Sequence, residues 1–284
     1  MRSAAVLVLF LFHAGEALAD SGLYYDFTTR FIGSEPEAVA IADLNGDGRN
    51  DVVMTIDSYF DPENVYRLFV FLQQPSGQLA PPVKYPAGNG QSVGAGDING
   101  DGRADVVVTH DRGIGVFLQT ASGGLAPMIT YGPKRPDSTT RTLAVRLADF
   151  NSDGRVDVAS LESMGGPVKI YSQNAGGTLD APVPYPVLHG GGDDLETGDV
   201  NHDGRTDILV MSGQGYAHNF AVLLQQPGGV FSAPVYYSTG AGEQTSGIAV
   251  GDVNGDSLAD VVVANGGYGS PFVRIFHQND AGAL

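Results

Sequence analysis

The chain has 284 residues, a net charge of −17, 40 glycines, 16 prolines, and neither cysteine nor tryptophan. The missing cysteines exclude disulfides, a lipidated cysteine anchor and thiolate chemistry. With 15 Lys and Arg against 32 Asp and Glu, a nucleic-acid partner is a poor fit, because phosphate binding needs clustered basic side chains.

The first predicted element is a signal peptide. Met1-Arg2-Ser3 is a short basic start, Ala4 to Phe12 is an apolar run, and Ala17-Leu18-Ala19 is a cleavage signal. The apolar run is far shorter than the roughly 20 residues needed to cross a bilayer. This pattern predicts an exported protein, secreted or periplasmic, with residues 1–19 removed and 20–284 forming one mature domain. No later run is long and apolar enough for a membrane helix.

Leu23–Phe31 follows as a single strand-like segment, and then an acidic string begins. Asp43-Leu-Asn45-Gly-Asp47-Gly-Arg49-Asn-Asp51 is its first copy, and further copies start at Asp97, Asp149, Asp199 and Asp252. Each reads D-x-N-x-D-G-x-x-D, except that Ser257 replaces the glycine in the last. The copies lie about fifty residues apart, which marks a repeat architecture. Between them the second copy reads as four strands: Ser92–Gly96, Val106–Thr109, Gly115–Gln119 and Met128–Tyr131. Nothing in the mature chain sustains a helical period, and the glycines and prolines sit at turns.

A four-stranded sheet of this size cannot bury both faces alone. Radial packing as a β-propeller solves that and leaves only short edges. Ala38, Ala40, Ala42, Gly94, Ala95, Gly96, Gly247, Ala249 and Gly251 suit a crowded innermost strand. The expected fold class is therefore all-β: a propeller of five four-stranded blades. The last copy stops at Leu284, before its fourth strand, so Leu23–Phe31 is expected to complete that blade and close the ring. The alternative is an open part of a larger propeller.

The spacing of the acidic string has a physical reason. Oxygens at loop positions one, three, five and nine, with the carbonyl at seven, can converge on one cation, and glycine at six permits the sharp turn. The expected ligand sets are Asp43, Asn45, Asp47, Arg49 and Asp51; Asp97, Asn99, Asp101, Arg103 and Asp105; Asp149, Asn151, Asp153, Arg155 and Asp157; Asp199, Asn201, Asp203, Arg205 and Asp207; and Asp252, Asn254, Asp256, Leu258 and Asp260. All-oxygen donors in this number select Ca²⁺, up to five ions, over zinc, copper or magnesium. Position twelve is Met54, Val108, Ser160, Val210 or Val263 rather than Glu, and the flanks are strand-like, so this is no EF-hand. The competing reading is a metal-free turn held by Asp and Asn side chains. Ser257 must adopt a glycine conformation, which makes the fifth site the weakest.

These strings, each followed by Val-Val or a similar pair and by a strand such as Val70-Phe-Leu-Gln-Gln, resemble the FG-GAP (VCBS-type) calcium-binding repeats of integrin α-subunit propellers and of many secreted bacterial proteins. The resemblance implies a calcium-binding propeller with ligands at positions one, three, five and nine. The family's best-known propellers have seven blades, and this chain departs from that.

The acidic loops and the Gln-to-hydrophobe turns keep constant length, whereas the other connections vary, and both variable sets fall at the opposite face. Binding residues concentrate on variable loops carried by a rigid scaffold. Ser58-Tyr59-Phe60-Asp61, Lys134-Arg135, His189–Asp194, Tyr216-Ala-His218 and Tyr268 are the candidates there. The expected role is an adhesion or binding module for a glycan or a surface protein. The alternatives are a polysaccharide-active enzyme and an assembly scaffold. No catalytic constellation is found. Gly90-Gln91-Ser92-Val93-Gly94 matches G-x-S-x-G but enters a strand, not the strand-to-helix turn the nucleophile requires. The histidines share no metal spacing. Asp193, Asp194 and Glu196 are the residual acids for an enzymatic reading.

Overall fold

Each acidic loop runs into a largely apolar stretch, such as Val106-Val107-Val108 or Val261-Val262-Val263, and that stretch forms the second strand of an antiparallel meander. A computed structural model describes residues 35–57, 68–88, 90–110, 113–132, 141–163, 165–187, 194–211, 220–240, 245–266, 272–279, 281–282 and 284. All of them belong to the unit Gly33–Leu284. The predicted signal peptide and Leu23–Phe31, and with them the proposed ring closure, lie outside the described residues.

The first sheet is β1 (Glu35–Ala42), β2 (Asp51–Asp57), β3 (Leu68–Phe71) and β4 (Val83–Tyr85). The second is β5 (Val93–Gly96), β6 (Asp105–His110), β7 (Gly113–Phe117) and β8 (Ile129–Tyr131). The third is β9 (Thr142–Ala148), β10 (Asp157–Glu162), β11 (Val168–Tyr171) and β12 (Val183–Tyr185). The fourth contains β13 (Leu195–Gly198), β14 (Asp207–Met211) and β15 (Phe220–Leu223). A small hairpin of β16 (Gln225–Gln226) and β17 (Val230–Phe231) precedes its last strand, β18 (Val235–Tyr237). The fifth has three described strands, β19 (Thr245–Gly251), β20 (Asp260–Asn265) and β21 (Phe272–Phe276). Each sheet is an antiparallel meander in chain order. No helix occurs among the described residues.

The sheets pack face to face in sequence, with inner strands β1, β5, β9, β13 and β19 as successive neighbours. Leu68 and Val70 meet Val93, Val106 and Val108 at the first junction. Val107, Ile114 and Val116 meet Val145, Val158 and Tyr171 at the second. Leu161 and Val168 meet Leu195 and Ile208 at the third. Leu209, Met211 and Phe220 meet Ile248, Val261 and Val263 at the fourth. The second strands of the three middle sheets, β6, β10 and β14, are thus covered on both sides, whereas in β2 Val52 and Met54, and in β20 Val262 and Ala264, are only half-buried. Some innermost-strand glycines leave no room for a side chain. A methyl group on Gly96 would stand 3.2 Å from Leu147, and one on Gly198 2.5 Å from Val250. The result is an all-β, propeller-like fold.

Strand limits differ slightly from the expectation. β7 starts at Gly113 rather than Gly115, because Gly113, at φ +117°, closes a tight hairpin with His110. Gln119 leaves β7 because the Asp105 carboxylate captures its N–H at 2.7 Å. It then makes an isolated bridge to Leu125, and Gln73–Leu79 and Gln173–Leu179 do the same.

Candidate functional site

Every acidic loop is closed by its own side chains. Asp43 Oδ1 accepts from the N–H of Gly46 at 2.7 Å, and Oδ2 accepts from Gly48 at 2.7 Å. Asn45 Oδ1 accepts from Asp47 N–H at 3.0 Å, and Asp47 Oδ1 from Arg49 N–H at 2.9 Å. Two residues per loop take left-handed backbone, at positions four and six. Position four holds Gly46, Gly100, Ser152, His202 or Gly255, so His202 has a backbone role there. Ser257 occupies position six of the fifth loop at φ +70°, as the sequence requires. Ser257→Gly is expected to raise stability by about 1 kcal/mol, the cost of holding a side chain in that region. The check is a higher urea midpoint at unchanged denaturant slope.

The ninth-position aspartates anchor the loops to the sheets. Asp51, Asp105, Asp157, Asp207 and Asp260 are all fully buried. Asp105 Oδ2 accepts from Ile98 N–H at 3.0 Å while Oδ1 holds Gln119. Asp157 and Asp207 repeat the arrangement with Phe150 and Gln173, and with Val200 and Gln225. Burial pushes Asp105 and Asp157 up to about 6 and Asp207 up to about 7. The fixed N–H groups oppose this, and the first- and fifth-position carboxylates add repulsion.

The donor set fits a hard cation. Each loop offers carboxylate, amide and carbonyl oxygens with no nitrogen or sulfur ligand, and a carboxylate that accepts two N–H bonds keeps further lone pairs free. Asp43, Asn45, Asp47, the Arg49 carbonyl and Asp51 would hold it in the first loop, and the equivalent residues in the others. A divalent ion there would supply charge neutralisation to three neighbouring carboxylates. Among the described residues, no three acidic or histidine side chains stand ready-assembled as a metal cage; the loop amides hold the carboxylates instead.

Two recurring side chains do work that the sequence reading missed. The position-seven arginines were assigned only a carbonyl. Their side chains bind the adjoining hairpin, with Arg49, Arg103, Arg155 and Arg205 Nε donating to the carbonyls of Gln73, Gln119, Gln173 and Gln225 at 3.0, 3.3, 3.0 and 3.0 Å. Each guanidinium also pairs with its position-five aspartate. The recurrence of Arg in four copies, with Leu258 in the fifth, was the available signal.

Three of these glutamines join neighbouring blades. Gln119 Nε2 donates to the Asp43 carbonyl at 3.0 Å, and Gln173 Nε2 to the Asp97 carbonyl at 3.0 Å. Gln225 Nε2 reaches Ser152 Oγ at 3.3 Å. The first three acidic loops are therefore each gripped by the hairpin of the next blade. Gln173→Ala is expected to destabilise by about 1–2 kcal/mol, since it unpairs a carbonyl at a buried junction. A urea titration against wild type measures it.

A second feature lies against the innermost strands. A cavity of about 640 Å³ is lined by Val39, Gln91, Ser92, Arg146, Leu147 and Asp194, among others. Arg146 Nη2 donates to Asp194 Oδ1 at 3.2 Å and to Glu196 Oε2 at 3.3 Å. Two of the three residual acids thus converge on one arginine, which the sequence reading did not single out. Ser92 of the G-x-S-x-G match is buried and its Oγ accepts from Val145 N–H at 3.2 Å, a sheet role. Of the variable-loop candidates, Asp194 is described. Ser58–Asp61, Lys134, Arg135, His189–Asp193, Tyr216–His218 and Tyr268 lie outside the described residues.

Comparison with known proteins agrees with this architecture. Residues 43–108, 97–160, 149–210 and 199–263 match the FG-GAP-like repeat, and residues 245–284 match the FG-GAP repeat. Integrin alpha-PS3 of Drosophila melanogaster is 33% identical over 144 residues. That match covers 43% of this chain and 13% of the integrin's length. Among solved structures, a lectin of Agrocybe aegerita aligns at a TM-score of 0.57 and 20% identity, over 87% of this chain and 68% of the lectin. At that identity the likeness concerns the fold. Among the described residues no helix is long and apolar enough to cross a membrane. With matches running from Asp43 to Leu284, the chain belongs to the FG-GAP repeat family.

Proposed function

We propose that this is an exported, calcium-braced propeller that binds a glycan or a surface protein at the side away from its acidic loops. The observation that carries the reading is the cavity against the innermost strands. It is built from the stretches of the inner strands that precede the acidic loops, around Gln91–Ala95, Leu143–Leu147 and Asp194. A concave site with a few convergent polar groups on a rigid scaffold is the usual form of a ligand site. The Agrocybe aegerita lectin, whose structure concerns recognition of non-reducing terminal N-acetylglucosamine, supports the glycan arm by analogy of fold. The reading assigns binding rather than catalysis, because Asp194 and Glu196 both serve Arg146.

A scaffold role is the second reading. Ile41 and Val273 are 67% and 62% exposed in the first and fifth sheets, and apolar strands left open suit a protein partner. A glycan array probed with residues 20–284 in millimolar calcium, with an EDTA control, separates the two. Reproducible, calcium-dependent binding to one sugar class supports the glycan arm. A blank array from folded, calcium-loaded protein overturns that arm and leaves the protein-partner reading.

A further inference from the structure

The third residue before each acidic string lies on the innermost strand. It is Ala40, Gly94, Arg146, Glu196 or Ala249. Three copies obey the small-residue rule of the crowded axis, and two adjacent copies break it with opposite charges. A half-buried ion pair adds little stability over apolar filling of the same space. Stability therefore does not account for placing it there.

We propose that Arg146 and Asp194 form a recognition site for two adjacent hydroxyls of a neutral sugar ring, with Glu196 as a positioning residue. This rests on the glycan arm of the proposed function and names its site and ligand class. The atom inventory is specific. Arg146 Nε and Nη2 donate to Glu196 Oε2 at 3.4 and 3.3 Å, Nη2 also to Asp194 Oδ1 at 3.2 Å, and Nη1 to the Val145 carbonyl at 3.0 Å. Asp194 Oδ1 further accepts from Leu195 N–H at 2.8 Å. Glu196 Oε1 accepts from Thr197 N–H at 3.0 Å. A guanidinium has five N–H groups, so one donor on Nη1 is left over. Asp194 Oδ2 accepts no hydrogen bond from the described residues. Among the described residues, one donor and one acceptor thus remain without a partner on groups already locked in place, and a pair of adjacent hydroxyls supplies the matching acceptor and donor.

Two carboxylates against one guanidinium leave this corner net negative, within a chain of net charge −17. That disfavours uronates, sialic acids and phosphates and selects a neutral ring. Val39 and the half-buried Leu147 on the cavity wall offer apolar surface to its C–H face. A volume of about 640 Å³ lies within the roughly 300–1,000 Å³ of ordinary ligand pockets.

The test is saturation-transfer NMR on residues 20–284 in millimolar calcium. The probes are methyl glycosides of mannose, galactose and fucose, the analogue of each lacking one hydroxyl of an adjacent pair, and methyl glucuronide. At least one neutral glycoside is expected to bind. Its deoxy analogue is expected to bind at least tenfold more weakly, and methyl glucuronide more weakly still. Arg146→Met and Asp194→Asn are each expected to weaken the neutral probe at least tenfold. Glu196→Gln is expected to narrow the gap between neutral and glucuronide probes, a change in selectivity that a purely structural role does not produce. If a variant fails to fold, the deoxy comparison on wild type decides alone. Neutral-sugar binding that is indifferent to both variants, or to deletion of each adjacent hydroxyl, overturns this site and leaves the glycan reading standing. No saturation transfer from any probe to folded wild type overturns both.

Discussion

Transfer from about 10 mM calcium to excess EDTA is expected to lower the melting temperature by roughly 20 °C or more. Extracellular calcium modules bind with Kd of about 10⁻⁴–10⁻³ M. At about a hundred times Kd, each site contributes about 2.7 kcal/mol. Stacked repeats add their contributions approximately, so five sites approach roughly 10 kcal/mol, and each kcal/mol moves the midpoint of a domain this size by about 2–4 °C. The geometry says where the loss falls. Asp43 and Asp97 present their carbonyls to the glutamines of the next blade, so freeing an acidic loop also loosens a junction. Differential scanning calorimetry in both buffers measures the effect. A midpoint indifferent to EDTA would leave the hydrogen-bonded, metal-free turn as the working form of the loop.

The second large effect concerns the turns that rest on those loops. Gly177 has φ +73°, and a methyl group there would stand 2.6 Å from the Asn99 carbonyl oxygen of the preceding blade. Backbone cannot yield as a flexible side chain does. Gly177→Ala is therefore expected to cost about 3 kcal/mol or more, combining about 1–2 kcal/mol for the left-handed backbone with overpacking of about 1–3 kcal/mol. Gly77 is the internal control. It has the same turn position and φ +80°, but nothing lies within 4 Å, because no described blade precedes the first. Gly77→Ala is expected to cost only the backbone part. Equal urea-midpoint losses for the two variants would show that loop and next-blade hairpin are not in contact, and the picture of acidic loops as junction braces would fail.

Much of this was legible in one dimension because the chain repeats. The period located the loops, the apolar stretch after each one located the second strands, and Ser257 announced its left-handed backbone. The pairing of Gln73 with Leu79 and of Gln119 with Leu125 followed from their constant separation. What escaped was whatever depends on a neighbouring blade. Gln119 recurs at a fixed place, but its amide meets Asp43, 76 residues earlier, and periodicity does not say which remote atom lies opposite a recurring side chain. The arginine at position seven was hidden by its own backbone, since the loop rule assigns that residue a carbonyl and is silent about its guanidinium. Arg146 was overlooked for the opposite reason: it is the departure from the repeat, and attention to what recurs passes over what does not.

The most direct test of the account is to count calcium ions on residues 20–284 by native mass spectrometry across a calcium titration. The account predicts five bound ions at millimolar calcium, with the ion of the Ser257 loop leaving first as calcium falls. A folded protein that carries no calcium at millimolar concentration would contradict it.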